Sequence, residues 1–253
     1  MGNEPTALIT GAARRIGRAI ALDLADAGLR VAVHYNSSDK EAAQTVEDIQ
    51  AAGGTAAALK ADLSDMDAVR ALVPACSEML GAPTCLINNA SLFEQDSILT
   101  LTDDSFHQHL RINLRAPIFL AQAFAEHLPE GIEGAIINIL DQRVWKHTPE
   151  YFSYTLSKSA LWTATRTLAQ GLAPGIRVNA IGPGPALANA RQSPENFSRQ
   201  QEATILQRGP EPEEICAAVR FILDAPSMTG QMIALDGGQH LAWRTPDIHE
   251  SDA

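Results

Sequence analysis

Residues 10–18 read TGAARRIGR, and this stretch lies between a short apolar run, TALIT, and a segment whose apolar residues recur with helical spacing. Gly11 allows a sharp turn at the end of a strand, and Gly17 allows the following helix to lie close to the sheet. The N-terminus of that helix presents unpaired N–H groups, which favour a pyrophosphate. The stretch therefore predicts a strand, a turn and a helix that bind a dinucleotide, although two glycines in such a turn can also serve geometry alone.

Short apolar runs recur along the rest of the chain, and longer segments with helical spacing separate them. The runs are TALIT at 6–10, RVAVHY at 30–35, AAALKA at 56–61, CLINNA at 85–90, AIINIL at 135–140, IRVNAI at 176–181 and MIALDGG at 232–238. Several are almost continuously apolar, as strands covered on both faces are. This alternation predicts an α/β fold: a single Rossmann-type, doubly wound parallel sheet of about seven strands with helices on both faces.

The chain shows no repeat, no low-complexity tract and no change of composition that would mark a second domain. We therefore expect residues 1–253 to form one domain. The longest stretch without a clear period, residues 183–212, is rich in Pro, Asn, Gln and Ser, and such segments often form binding loops. We interpret it as a substrate loop, and residues 244–253 as a loose tail.

The charge balance is acidic, since 19 Lys and Arg against 30 Asp and Glu give a net charge of −11. Such a chain lacks the basic surface that attracts nucleic acids or anionic membranes. The sequence has no long apolar stretch, no signal-peptide pattern, and no cysteine or histidine spacing typical of a metal site or disulfide framework. We expect a cytoplasmic enzyme with a small-molecule substrate and no metal, nucleic-acid or membrane partner.

The end of the second predicted strand indicates which dinucleotide the site takes. An NAD site usually places Asp or Glu there, to bind the ribose 2′-hydroxyl. Residues 34–38 read HYNSS, and the first carboxylate after them is Asp39. Neutral hydrogen-bonding groups, with Arg14 nearby in the first turn, suit a 2′-phosphate, so we predict NADP(H). The alternative is a polar turn in which Ser38 caps the next helix.

Tyr154 and Lys158 lie four residues apart, so on a helix they share one face. An ammonium close to a phenol lowers the pKa of the phenol, which then exchanges protons near neutral pH. The spacing alone is a weak signal, because such pairs are common on helix surfaces, although the chain has only four lysines.

Further landmarks follow the glycine-rich turn in order. They are Asp62-Leu63 after the third run, Asn88-Asn89-Ala90 after the fourth, Asn113 in the next helix, Tyr154 and Lys158 after the fifth, and Pro183-Gly184 after the sixth. With these landmarks the chain resembles the short-chain dehydrogenase/reductase family over about residues 5–240. The resemblance implies one Rossmann-type domain, usually in a homotetramer or dimer, and hydride transfer at the nicotinamide C4.

The resemblance also implies roles for individual residues. Tyr154 would be the catalytic acid or base. Lys158 would bind the nicotinamide ribose and lower the pKa of that tyrosine, and Asn113 would hold a water of a proton relay. Retention of all three argues against a protein that only binds NADP(H).

Three positions depart from the usual pattern of that family. Arg15 replaces a glycine, Ser91 follows NNA where glycine is usual, and Asp141 stands thirteen residues before Tyr154 in place of a serine. A serine hydroxyl donates to a substrate carbonyl, whereas a carboxylate cannot donate unless it is protonated. Asp141 therefore counts against an ordinary ketone reductase. It can also be read as a helix-cap or turn residue paired with Arg143.

The same departures resemble the pteridine reductase branch and the bacterial dihydromonapterin reductases. In that branch an aromatic residue near NNAS stacks on the pterin, and Phe93 matches its position. A pterin is flat, and its guanidine-like edge donates hydrogen bonds that a carboxylate accepts, while its face can lie between the nicotinamide and a phenylalanine ring. Phe93 can instead belong to the core, and Ser91 can be a small residue tolerated at a glycine position.

The predicted site residues form three overlapping groups. The catalytic residues are Asp141, Tyr154, Lys158 and Asn113. The cofactor-binding residues are Gly11, Arg14, Arg15, Ile16, Gly17, His34, Tyr35, Asn36, Ser37, Asp62, Leu63, Asn89, Ala90, Ser91, Tyr154, Lys158, Pro183 and Gly184. The substrate-binding residues are Arg15, Ser91, Phe93, Asp141 and Tyr154.

We expect an NADPH-dependent reductase of this branch that reduces a C=N bond of a pterin or dihydropterin and forms a homotetramer. One alternative is a short-chain reductase that acts on a carbonyl, such as a 3-oxoacyl thioester or a ketone. A second alternative is a non-catalytic NADP(H)-binding sensor. The sequence leaves the roles of Trp145 and Trp243 open.

Overall fold

The computed structural model describes residues 5–188 and 193–243, which contain a seven-stranded sheet. The strands are β1 (Thr6–Ile9), β2 (Arg30–Tyr35), β3 (Ala56–Lys60), β4 (Cys85–Asn88), β5 (Gly134–Ile139), β6 (Ile176–Pro183) and β7 (Met232–Leu235). All neighbouring strands pair in parallel, in the order β3-β2-β1-β4-β5-β6-β7. The predicted Rossmann-type α/β fold is confirmed.

Helices connect the strands. They are α1 (Arg15–Asp26), α2 (Asp39–Ala51), α3 (Met66–Leu80), α4 (Asp103–Leu110), α5 (Ala116–His127), α6 (Phe152–Gly171), α7 (Pro194–Glu202) and α8 (Pro212–Asp224). A π-helical turn, Arg111–Arg115, joins α4 to α5, and two 3₁₀ turns cover Gln142–Val144 and Gln239–Leu241. Within the described ranges no helix is both long and apolar enough to cross a membrane.

The sheet separates two apolar cores, because successive side chains of a strand point to opposite faces. In β1, Ala7 and Ile9 pack in one core with residues of α1 and α8, whereas Leu8 packs in the other with residues of α3 and α5. Burial on both faces explains why the strands are almost continuously apolar in sequence.

The order of the strands reverses between β1 and β4, because the chain first builds outward to β3 and then returns to the other side of β1. In an open parallel sheet, ligands bind at the carboxyl ends of the strands next to such a reversal. The glycine-rich turn follows β1, the NNAS sequence follows β4 and Asp141 follows β5. The fold therefore brings these three segments to one edge of the sheet.

The predicted substrate loop, residues 183–212, is only partly irregular. It contains α7, which begins with Pro194. The Ser193 hydroxyl caps this helix by accepting a hydrogen bond from the Asn196 N–H. No residue of α7 is buried, so the helix has no apolar stripe that a sequence pattern could reveal. Residues 189–192 of this loop and the predicted tail, 244–253, lie outside the described residues.

Candidate active site

The glycine-rich turn brings α1 very close to the end of β1. Gly11 adopts a positive φ of 63°, which L side chains rarely adopt. A Cβ at Gly17 would lie 2.2 Å from the Gly11 carbonyl oxygen and 2.5 Å from Nδ2 of Asn89. Neither contact is possible, so Gly17 permits the approach of the helix that the sequence predicted.

Hydrogen bonds from the NNAS sequence hold this turn. The hydroxyl of Thr10 accepts from the N–H groups of Asn89 and Ala90, at 2.9 and 3.0 Å. The Asn89 side-chain amide donates to the carbonyls of Thr10 and Gly11, at 2.9 and 3.1 Å. Asn89 and Ala90 therefore position the turn, and Thr10, which the sequence analysis did not single out, is their common partner.

His34 supports the same turn from β2. Its Nδ1 accepts from the Gly11 N–H at 3.0 Å, and its Nε2 lies 3.1 Å from the Ala61 carbonyl. This bonding requires a neutral ring protonated at Nε2, and burial lowers the pKa of His34 to about 4. The structure corrects the predicted cofactor contact of the His34 ring, because both ring nitrogens are occupied and the residue is only 2% exposed.

The end of β2 fits a 2′-phosphate. Asp39, the first carboxylate after the strand, forms an ion pair with Lys60 at 3.0 Å. Asn36, Ser37 and Arg14 are exposed, and no ion pair of Arg14 occurs among the residues that the structure describes. The guanidinium therefore remains available for an anion, and the neighbouring neutral groups can donate hydrogen bonds to it.

The other residues of the predicted cofactor set differ in how far their side chains are exposed. Leu63 is 5% exposed and packs in the core with α3, so only its main chain can meet a cofactor. Asp62 is exposed and accepts from the Ser64 N–H at 2.8 Å. Ile16 packs against the core, and Tyr35 is half-buried below Lys60. Pro183 is buried at the end of β6, and a Cβ at Gly184 would lie 2.8 Å from Asp236 Cα.

Tyr154 and Asp141 meet at the carboxyl end of β5. The Tyr154 hydroxyl donates to Oδ2 of Asp141 at 2.9 Å, and Tyr154 is 5% exposed. The other oxygen of Asp141, Oδ1, accepts from the Arg143 N–H at 2.8 Å and begins the 3₁₀ turn Gln142–Val144. One oxygen of Asp141 therefore shapes the turn, as one interpretation of the sequence expected, and the other contacts the tyrosine; the catalytic role of Asp141 stays a prediction.

Burial and mutual contact displace the pKa values of this pair. Desolvation raises the pKa of Asp141, opposed by the hydrogen bond and charge of Arg143. Desolvation also raises the pKa of Tyr154 well above its ordinary value, and the charge of Asp141 raises it further. The Tyr154 proton is thus held firmly beside the carboxylate.

Lys158 does not contact the tyrosine hydroxyl. Its Nζ donates to the Ile139 carbonyl at 2.8 Å and lies 5.8 Å from the centre of the Tyr154 ring. Burial lowers the pKa of Lys158 to about 8, opposed by the charge of Asp141. The expectation that Lys158 lowers the pKa of Tyr154 is not met in the chain alone, where Arg143 is the cation that lowers it.

Asn113 is buried in the π-helical turn and connects two segments of the site. Its Oδ1 accepts from the Leu92 N–H at 2.8 Å and the Ser91 hydroxyl at 3.3 Å. Its Nδ2 donates to the Leu92 carbonyl at 2.9 Å and to Oγ of Ser157 at 3.1 Å. Both polar atoms of the Asn113 side chain are therefore engaged within the protein, and the relay water stays a prediction.

Phe93 lies in an aromatic cluster that also contains two tyrosines. Its ring stacks on Tyr151 with centroids 4.3 Å apart, and it meets Tyr154 edge-on at 4.6 Å. The guanidinium of Arg143 lies 4.8 Å from the Tyr151 ring and 5.9 Å from the Phe93 ring. Phe93 is half-buried and belongs to this cluster, so its reading as plain core is wrong. Tyr151 was not among the predicted site residues, although it lies three residues before Tyr154.

Arg15 joins the glycine-rich turn to the predicted substrate loop. Its guanidinium donates to the carbonyls of Leu187 and Ala188, at 3.0 and 2.6 Å. Its φ of 58° lies in the left-handed region, which glycine adopts without strain. The contacts predicted for Arg15 and Ser91 with cofactor and substrate remain predictions.

The segment after Asp141 also contacts the C-terminal 3₁₀ turn. Trp145 packs edge-on against His240 with centroids 5.0 Å apart, and Asp236 accepts from the His240 ring at 2.7 Å. Trp243 is 64% exposed. Across the described ranges no three His, Cys, Asp or Glu side chains are grouped as metal ligands.

Comparison with known proteins gives close matches over almost the whole chain. A family model described as enoyl-(acyl carrier protein) reductase matches residues 11–240. The structure of FolM alternative dihydrofolate reductase 1 from Brucella suis, in complex with NADP, has a TM-score of 0.95 and 51% identity, covering 98% of this chain and 100% of that chain.

Two curated relatives are also similar. An uncharacterised oxidoreductase of Methylorubrum extorquens is 35% identical over 240 residues, 92% of this chain and 96% of the relative. The 3-oxoacyl-(acyl-carrier-protein) reductase FabG of Staphylococcus aureus is 30% identical over 241 residues, 93% of this chain and 98% of the relative. Given these matches and the ordered site segments at one edge of the sheet, the chain belongs to the short-chain dehydrogenase/reductase family and is an oxidoreductase of that family.

Proposed function

We propose that the protein is an NADPH-dependent reductase that reduces a C=N bond of a pterin or dihydropterin. The observation that carries this proposal is the bond between Tyr154 and Asp141, which places a carboxylate where a carbonyl reductase of the family has a serine. The similarity to a structure titled alternative dihydrofolate reductase supports the same substrate class.

The bound cofactor would supply a hydride from the nicotinamide C4 to a ring carbon. Asp141 accepts hydrogen bonds from the guanidine-like edge of the pterin and orients it. Tyr154 holds a proton at its hydroxyl, next to the substrate position, and delivers it to the ring nitrogen. Hydride and proton together convert C=N to CH–NH. Phe93, at the side of the Tyr154 ring, offers an aromatic surface against which a flat ring can lie.

Two other functions are less well supported. FabG and the matching family model suggest a carbonyl reductase, but both oxygens of Asp141 accept hydrogen bonds, from the Tyr154 hydroxyl and the Arg143 N–H, so neither donates to a carbonyl oxygen. A non-catalytic sensor would have no use for a buried Tyr154 and a buried Lys158 beside the half-buried Asp141, because burial of ionisable groups is costly.

The experiment follows the oxidation of NADPH by the purified protein with dihydrobiopterin, dihydromonapterin and dihydrofolate, beside a panel of simple ketones. We expect turnover of a dihydropterin, and a sharp fall in Asp141→Ala. Asp141→Asn is the matched variant, because it keeps an acceptor for the Arg143 N–H while it removes the charge, and we expect it to fall as well.

Three outcomes would contradict the proposal in different ways. Reduction of ketones alone, improved in Asp141→Ser, would favour the carbonyl reductase. Binding of NADPH without any substrate-dependent oxidation would favour the sensor. Full dihydropterin turnover in Asp141→Ala would remove the carboxylate from the mechanism.

We also propose that the protein forms a homotetramer in the cytoplasm. An open groove between α5 and α6 is lined mainly by apolar side chains, and a second copy of the chain would cover it. These residues include Ile118, Phe119, Leu168 and Leu172. Light scattering after size-exclusion chromatography should give the mass of four chains, and a monomeric mass would refute the assembly.

A further inference from the structure

Helix α6 carries Tyr154 and Lys158, yet it begins without a cap of its own. The residue at its N-cap, Tyr151, has a positive φ of 55° and its side chain makes no capping bond. The first N–H groups of a helix have no partner within the helix, and buried ones need an acceptor elsewhere. Ser153, in the first turn of α6, is fully buried.

Asp96 supplies this acceptor from the loop that follows β4. Its carboxylate oxygens lie 3.1 and 3.4 Å from the Ser153 nitrogen, and its carbonyl accepts from the Phe152 N–H at 3.4 Å. Asp96 is 5% exposed, and a buried carboxylate is costly unless it is hydrogen-bonded. The N-terminus of a helix is favourable for a negative charge, because the helix dipole places partial positive charge there.

The loop of Asp96 is also the loop of Ser91 and Phe93. It has two further anchors, since Leu92 is bonded to Asn113 and the Glu94 N–H donates to Nε2 of His109 at 3.2 Å. Asn113 also donates to the Ser157 hydroxyl, in the second turn of α6. The Phe93 ring of this loop contacts the Tyr154 ring, whereas Asp96 accepts hydrogen bonds from main-chain N–H groups of the first turn of α6.

We propose that Asp96 is a positioning residue: it caps the catalytic helix from the loop after β4 and thereby fixes Tyr154 against Asp141. Ser153 precedes Tyr154 directly, so a shift of its main chain moves the tyrosine hydroxyl away from Oδ2 of Asp141, now 2.9 Å away. Displacement of a reacting group by about 1 Å can reduce a rate by roughly a hundredfold.

The test compares Asp96→Ala, Asp96→Asn and Asp65→Ala in NADPH oxidation with dihydrobiopterin. Asp65 is a matched control, because it caps α3 through the Asp67 N–H and follows β3, the strand at one end of the sheet. We expect Asp96→Ala to lower kcat roughly tenfold to a hundredfold while the KM for NADPH stays within about twofold. Asp96→Asn, which keeps an acceptor oxygen, should recover most of the rate, and Asp65→Ala should keep the wild-type kcat.

Equal kcat values for Asp96→Ala and Asp65→Ala would overturn the proposal, and so would a loss in Asp96→Asn as large as in Asp96→Ala. If Asp96→Ala does not fold, Asp96→Glu replaces it, because the longer side chain moves the acceptor and should produce the same selective fall in kcat. Unchanged kcat in Asp96→Glu would count against the proposal.

The proposal also has a readout that does not depend on the substrate. Hydrogen exchange of the peptide that covers the first turn of α6 should accelerate in Asp96→Ala and not in Asp65→Ala. Unchanged exchange would overturn the capping role. Accelerated exchange in a protein that reduces no pterin would refute the proposed function and leave the role of Asp96 standing.

Discussion

The turn between β1 and α1 and the segment between β5 and α6 lie at the same edge of the sheet, but different interactions hold them. The turn is held by neutral groups, since Thr10 and Asn89 exchange hydrogen bonds with each other's main chain. The segment after β5 contains two ionisable side chains, Asp141 and Arg143, which lie close to Tyr154 and Lys158 in the first two turns of α6.

The difference suggests separate tasks: the turn provides a fixed shape, and the region after β5 provides reactive groups. Neutral hydrogen bonds fix a backbone path without the cost of burying charge, so the turn can present a constant surface to a dinucleotide. Buried ionisable groups are costly, and their pKa values move: that of Asp141 is raised and that of Lys158 falls to about 8. Perturbed groups of this kind are typical of the place where protons are transferred.

The largest effect on activity is expected at Tyr154, in the region after β5. Tyr154→Phe removes the proton donor, and loss of a general acid typically costs a factor of about 10² to 10⁴ in kcat. The affinity for NADPH, measured by fluorescence titration, should stay nearly unchanged if the two regions have separate tasks. A variant that retained full turnover would remove Tyr154 from proton transfer.

A comparably strong effect on binding is expected at the turn. Gly17→Ala places a Cβ 2.2 Å from the Gly11 carbonyl oxygen, so α1 must move, at a cost of about 3 kcal/mol in the free energy of unfolding. We expect weaker NADPH binding with it. Gly171→Ala is the matched control, because a Cβ at Gly171 meets nothing within 4 Å. Urea unfolding measures the free energy of unfolding, and fluorescence titration measures the affinity for NADPH. Equal values for the two variants would contradict the close packing of α1 against the turn.

A smaller effect is expected when the pH is lowered, and it concerns the stability of the turn that His34 supports. The pKa of His34 is about 4 in the folded chain, below its ordinary value of 6.5. The neutral, buried His34 contributes its full stability above about pH 6.5. This contribution is lost as the pH falls toward 4, because the histidine of the unfolded chain binds a proton at a higher pH than the histidine of the folded chain.

Between pH 7 and pH 5 this linkage amounts to about 2 kcal/mol of unfolding free energy. Urea unfolding at a series of pH values should show the loss, and His34→Gln, which does not titrate, should lose less over the same interval. An identical pH dependence in the variant would show that other groups cause it.

The smallest effect is expected where the turn meets the segment before residue 189. Arg15→Gly removes the strain of a positive φ, which stabilises the fold by about 1 kcal/mol. It also removes the two hydrogen bonds to the carbonyls of Leu187 and Ala188. We expect nearly unchanged thermal stability and a raised KM for the dihydropterin. A KM equal to that of the wild type would exclude Arg15 from substrate binding.

The strands were predictable from the sequence because burial on both faces makes them continuously apolar. Helix α7 was not, because none of its residues is buried. Within the site, the thirteen-residue interval between Asp141 and Tyr154 could be matched to a family pattern, and the fold brings the two side chains into contact. Asp96 could not be found this way, since its partner Ser153 lies 57 residues further along the chain and only the folded loop brings them together.

The two oxygens of Asp141 have a consequence for the divergence of this family. The turn after β5 requires an acceptor at this position for the Arg143 N–H, and serine, asparagine and aspartate all provide one at the start of a helical turn. A single codon position can therefore exchange a hydroxyl for a carboxylate while the loop keeps its course. The chemistry offered to the substrate can thus change at this position while the main chain of the loop keeps its hydrogen bond.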